Sequence, residues 1–122
     1  TEGEAAFKKW VDQDAAGRQL GEFALVGADS PIFQSGIFFS HTLFDENARP
    51  HIALGMGYAS GVKDGQQMST KEREAAGIND SKIHTDFMIG GPDVSIIATQ
   101  TSQGEKVLIE NGAWKEPFLD PR

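Results

Sequence analysis

The sequence predicts an α+β domain, because helical spacing of apolar residues early in the chain gives way to alternation late in it. Residues Ile83 to Ile89 place Ile83, Thr85, Phe87 and Ile89 on one face of a strand, with His84, Asp86 and Met88 on the other. Turn signals at Gly90-Gly91-Pro92-Asp93, Thr101 to Gly104 and Asn111-Gly112 then divide the remainder into short strands. Together these predict an antiparallel β-meander in the C-terminal third, with two or three helices before it. The chain of 122 residues is sized for one domain with one core.

The elements follow in order. Ala6, Phe7, Trp10, Val11 and Ala15 recur at helical spacing, predicting an amphipathic helix over Glu4 to Ala16 with Gly17 as a left-handed stop. Glu22 to Val26 reads as a short strand between Gly21 and Gly27. Ala28 to Gly36 is turn-rich, and Ile37-Phe38-Phe39 follows it as a second apolar strand. A second helix is expected from the N-cap Asn47, with Pro50 in its first turn, through Ile52, Ala53 and Leu54 towards Tyr58. Gly61 to Gln67 reads as an exposed loop. Ser69-Thr70-Lys71-Glu72 has capping-box spacing, and Gly77 closes a short polar helix. Val94 to Thr99 and Lys106 to Glu110 complete the strands before Trp114.

Composition excludes several classes. Eighteen acids against eleven bases give a net charge of −7, with no basic stripe of the kind a nucleic-acid binder carries. There is no cysteine, hence no disulfide framework and no thiolate chemistry. Apolar runs are only a few residues long, so no membrane span and no membrane partner are expected. No nucleophile elbow, phosphate loop or HExxH helix occurs.

The remaining chemistry lies in a few polar residues. His84 and Asp86 leave one strand face roughly 6.5–7 Å apart, which suits either a metal site or a solvated sheet surface. On the expected helix His51 and Tyr58 are two turns apart, roughly 10 Å along the axis, with Tyr58 leaning back towards His51. Each also has a plain structural role open to it, Tyr58 at a core edge and His51 on a nearby carbonyl. Glu22 opens an apolar strand, where an acid is paired, ligating or at an exposed end. Glu46 has a helix-start role as an acid near the N-terminus, and His41 is peripheral. One Glu, two His, one Asp and one Tyr form a nitrogen–oxygen donor set. That set suits zinc, cobalt or manganese in a hydrolytic role better than a structural zinc.

Four ordered segments carry a resemblance: Leu20-Gly21-Glu22-Phe23-Ala24-Leu25-Val26, Leu43-Phe44-Asp45-Glu46-Asn47-Ala48, His51-Ile52-Ala53-Leu54-Gly55 with Tyr58, and Ile83-His84-Thr85-Asp86-Phe87-Met88-Ile89-Gly90. The sequence resembles the aminopeptidase T/aminopeptidase S family of metallo-aminopeptidases. The resemblance implies that residues 1–122 are the C-terminal metal-ligand-bearing domain of a larger two-domain enzyme. It implies two divalent metal ions, release of N-terminal amino acids from peptide substrates, a cytoplasmic homodimer, and a missing N-terminal domain as partner. Glu22, His51, His84 and Asp86 match the family's metal ligands, and Tyr58 the tyrosine beside the metals. A further glutamate ligand, from the family's earlier half, has no counterpart here. The isolated chain is therefore expected to be inactive, and the competing reading is a non-catalytic dimerisation or structural module.

Overall fold

A computed structural model describes residues 1–100, 102 and 104–115, Gln100 by its backbone alone. The chain forms two compact units, one of Thr1–Ala24 with Ile52–Phe87 and one of Leu25–His51 with Met88–Arg122. The chain passes between them within strands, after His51 and after Phe87.

The first unit opens with helix α1, Glu2–Val11, whose start is fixed by a capping box between Thr1 and Glu4. The helix is shorter than its apolar spacing predicts. Asp12 turns to Arg18, and Asp14 turns to Ser81 and the Lys82 N–H, so both acids leave the helical path. Gly17 is not left-handed; a Cβ there would meet the Val11 carbonyl at 2.3 Å, so its role is close packing. Strand β1, Leu20–Ala24, lies at one edge of a three-stranded sheet ordered β1-β2-β3.

Strand β2 is His51–Gly55 and strand β3 is His84–Met88. The expected helix through Ile52 to Tyr58 is thus a central strand, and this is the largest correction to the sequence reading. A short apolar run flanked by glycines reads equally as buried strand or buried helix, and here the neighbours decide. Gly55 adopts φ +98, and a Cβ on it would sit 2.2 Å from the Ile83 carbonyl oxygen. A Cβ on Gly21 would meet the Gly55 oxygen at 2.4 Å. Strands this close leave no room for a side chain at either point. Bonds from the Met56 N–H to the Ile83 carbonyl and from the Ile89 N–H to the Pro50 carbonyl run β2 and β3 antiparallel. Val11, Ala53, Ile78 and Ile83 are buried in this unit.

Two single 3₁₀ turns, Ala59–Gly61 and Gly65–Gln67, break up the expected loop. Helix α4, Thr70–Ala75, carries the expected Ser69–Glu72 capping box (α2 and α3 belong to the other unit). It ends in a Schellman motif: Gly77 at φ +80 bonds the Glu74 carbonyl, and the Ile78 N–H bonds that of Arg73.

In the second unit, α2 is Pro31–Ser35 and α3 is Thr42–Asp45, followed by a 3₁₀ turn Glu46–Ala48. Asn47 is not an N-cap; its amide donates to the Leu43 carbonyl. Ile37-Phe38-Phe39 forms no strand, because the Asp45 carboxylate takes the N–H groups of Phe39 and His41 that a strand would use for pairing. Strands β4 (Ile96–Gln100), β5 (Gly104–Glu110) and β6 (Ala113–Trp114) form an antiparallel sheet. The meander therefore holds, but it starts at β4, since β3 belongs to the other sheet. Asn111 and Gly112, at φ +50 and +75, make the predicted tight turn. Of the expected turn Thr101 to Gly104, residues 101 and 103 lie outside the described residues.

Candidate metal centre

Period-2 alternation places the site. On β3, Thr85 and Phe87 face α1, where Thr85 Oγ1 accepts from Trp10 Nε1 at 2.7 Å and Phe87 meets the Phe7 ring edge-on at 5.8 Å. Holding that face against the helix turns His84 and Asp86 the other way. There His84 Nε2 stands 3.1 Å from Asp86 Oδ1 and 3.2 Å from Glu22 Oε2 of β1. His51, the first residue of β2, is 3% exposed, and one ligand atom each from Glu22, His51 and Asp86 lies within 4.8 Å of the others. Glu22, His51 and Asp86 thus converge, and His84 stands against Glu22 and Asp86. What the sequence misplaced is the element bearing His51, a strand rather than a helix.

The histidines are oriented by backbone. His84 Nδ1 is 2.8 Å from the Met56 carbonyl, and His51 Nδ1 is 3.0 Å from the Arg49 carbonyl. A carbonyl oxygen only accepts, so each Nδ1 carries a proton, and in a neutral ring Nε2 then keeps the remaining lone pair. Neither carbonyl is visible as a sequence signal, because every residue has one.

A neutral His84 thus brings Nε2 to two carboxylate oxygens as a third electron-pair donor. Asp86 Oδ1 is buried and accepts no hydrogen bond, although Nε2 is so near. A proton on Nε2 could align with only one of the two carboxylates. A cation among them satisfies all three. Donors bound about 2.0–2.2 Å from one tetrahedral ion lie about 3.3–3.6 Å apart, close to the spacing of these atoms. The donor set and its orphaned oxygen fit a divalent metal.

Tyr58 is not on a helix with His51. It precedes the 3₁₀ turn Ala59–Gly61 in extended conformation, and its ring packs on His84 at 4.9 Å, tilted by 52°. It is 55% exposed, so the phenol borders the donor cluster from the solvent side of that ring.

The profile of the thermophilic metalloprotease (M29) family matches residues 1–114. The chain belongs to this M29 family. Among its relatives, aminopeptidase AmpS of Bacillus subtilis is 45% identical over 112 residues, covering 92% of this chain and 27% of the relative. Aminopeptidase T of Thermus aquaticus is 41% identical with the same coverage. The structure of wild-type AmpT from Thermus thermophilus superposes with a TM-score of 0.75 at 36% identity, over 93% of this chain and 27% of that one. The M29 chain described here thus spans about a quarter of the length of the relatives it matches. Its family is one of metalloproteases, in keeping with the donor cluster, and among the described residues no helix is long and apolar enough to cross a membrane.

Proposed function

We propose that this chain is the C-terminal, metal-ligand-bearing part of an aminopeptidase that releases N-terminal residues from peptides with two divalent ions, zinc, cobalt or manganese. The convergence of Glu22, His51, His84 and Asp86 carries the reading. These four would hold the ions. Ions so held supply Lewis acidity towards a peptide carbonyl and make water a nucleophile near neutral pH.

The chain's own residues do the rest. Glu22 and Asp86 bring negative charge that offsets the cations and favours a substrate's free α-ammonium group. The Met56 and Arg49 carbonyls fix both rings with Nε2 inward, so no reorientation is needed when substrate arrives. Tyr58 stands against His84 as the neutral O–H donor for an oxyanion developing at the scissile carbonyl. Four donors shared by two ions leave each shell incomplete, so this chain alone should bind metal weakly and turn over little. A cytoplasmic homodimer completed by an N-terminal domain belongs to the same reading.

Titration with zinc, cobalt and manganese, followed by calorimetry and by cleavage of a leucyl chromogenic amide, tests it. His84→Ala or Asp86→Ala should lower metal affinity by about 100-fold or more, since losing even a residue that only supports a ligand costs about 10–100-fold. A non-catalytic dimerisation module would take up metal equally before and after these changes. Turnover matching an intact relative would refute the dependence on a further domain.

A further inference from the structure

The Met56 carbonyl that holds His84 is one end of a peptide group whose other end is the Gly57 N–H. That N–H donates to the Asn79 carbonyl at 3.0 Å. The imidazole thus hangs from two hydrogen bonds in series, from His84 Nδ1 into the 56–57 peptide and from that peptide into Asn79. Hydrogen bonds in series polarise one another, so the second strengthens the first. A planar peptide held at both ends also cannot swing its carbonyl away from the ring.

Asn79 is itself tied down by its side chain. Its Nδ2 stands 2.8 Å from the Leu20 carbonyl, which can only accept, so the amide donates. Leu20 opens β1, the edge strand that bears Glu22. Between the two grips the backbones touch. A Cβ on Gly21 would lie 2.5 Å from the Met56 oxygen, and one on Gly57 would lie 3.2 Å from the Asn79 nitrogen and 3.3 Å from the Gly21 oxygen. One residue therefore connects the strand of Glu22 to the peptide that aims His84, two donors that stand 3.2 Å apart. We infer that Asn79 is a positioning residue of the metal centre. Its side-chain amide sets β1, and so Glu22, against His84, and its carbonyl keeps His84 Nε2 turned to the carboxylates. The inference deepens the metal-centre reading and rests on it.

The test compares Asn79→Ala and Asn79→Asp with Ser69→Ala, which removes the α4 capping box and serves as the control for lost stability. Calorimetry gives the zinc affinity at a temperature where every chain is folded, and NMR follows the His84 ring nitrogens without metal. Asp has the shape of Asn but no N–H to give, and its added negative charge would by itself favour a cation. Both Asn79 variants should nevertheless lower zinc affinity about tenfold, the lower end of what losing a residue that supports a ligand costs. Both should also shift the His84 Nδ1 signal, and Ser69→Ala should change neither. Native or higher affinity in either Asn79 variant, an equal loss in Ser69→Ala, or an unmoved His84 signal overturns the inference. If the native chain takes up no zinc, the metal-centre reading fails, and the His84 signal alone then decides whether Asn79 aims the ring.

Discussion

Asp14 joins parts of the chain that are 67 and 68 residues apart in sequence. Its carboxylate accepts from the Lys82 N–H at 2.7 Å, from Ser81 Oγ at 3.0 Å and from the Ala16 N–H at 3.0 Å, binding the turn after α1 to the residues that lead into β3. The Lys82 backbone bond foremost, helped by Ser81 and Ala16, holds its carboxyl below the usual aspartate range against the opposing effect of burial. A depressed folded value means that the contribution to stability is fully present above the unfolded value of about 3.9 and fades as pH falls through the folded one. Asp14→Asn should therefore unfold more easily at pH 7, while its stability changes less than that of the native chain between about pH 4 and 2. Denaturant melts across that range are the measurement, and parallel pH profiles for the two proteins would contradict the assignment. Asp12 and Asp14 look alike in sequence as solvated acids; only folding shows that one of them bridges distant segments.

Elements were legible in proportion to how local their causes are. The Ser69 capping box, the Asn111-Gly112 turn and the alternation of residues 83–89 arise from neighbours in the chain, and each is found where the pattern puts it. The run His51-Ile-Ala-Leu-Gly55 has no such local cause. Its pairing with β1 and β3 makes it a strand, and the mark of that pairing is Gly55, held at φ +98 against the Ile83 carbonyl. Gly55→Ala should cost at least about 2 kcal/mol, the strained backbone alone accounting for about 1–3. It should also weaken metal uptake by displacing β2, which carries His51. A stable Gly55→Ala chain with native metal affinity would show that the close approach is not required. The donor set was legible as residue types, whereas the coming together of β1, β2 and β3 was not, since it depends on pairings between residues up to about forty positions apart.

At the scale of the whole molecule, the two units differ in what holds them. The first gathers Val11, Ala53, Ile78 and Ile83. In the second, Ile109 of β5 is fully buried among the described residues. Ile109→Ala should therefore cost about 2–5 kcal/mol, read from chemical denaturation. The same substitution at Ile97, which is 52% exposed, should fall within about 1 kcal/mol. Comparable losses at the two positions would mean that the exposed face of β4 is covered in solution. Ile37, Phe38 and Leu43 are also more than half exposed. Among the described residues nothing covers these side chains.

The grip of the Met56 carbonyl on His84 has an evolutionary corollary. The oxygen that fixes the imidazole comes with every amino acid, so the identity of residue 56 is free to drift while the ring stays aimed. Replacing the side chain of residue 56 would pass over this support, and at that position only an alteration of the peptide linkage itself would expose it.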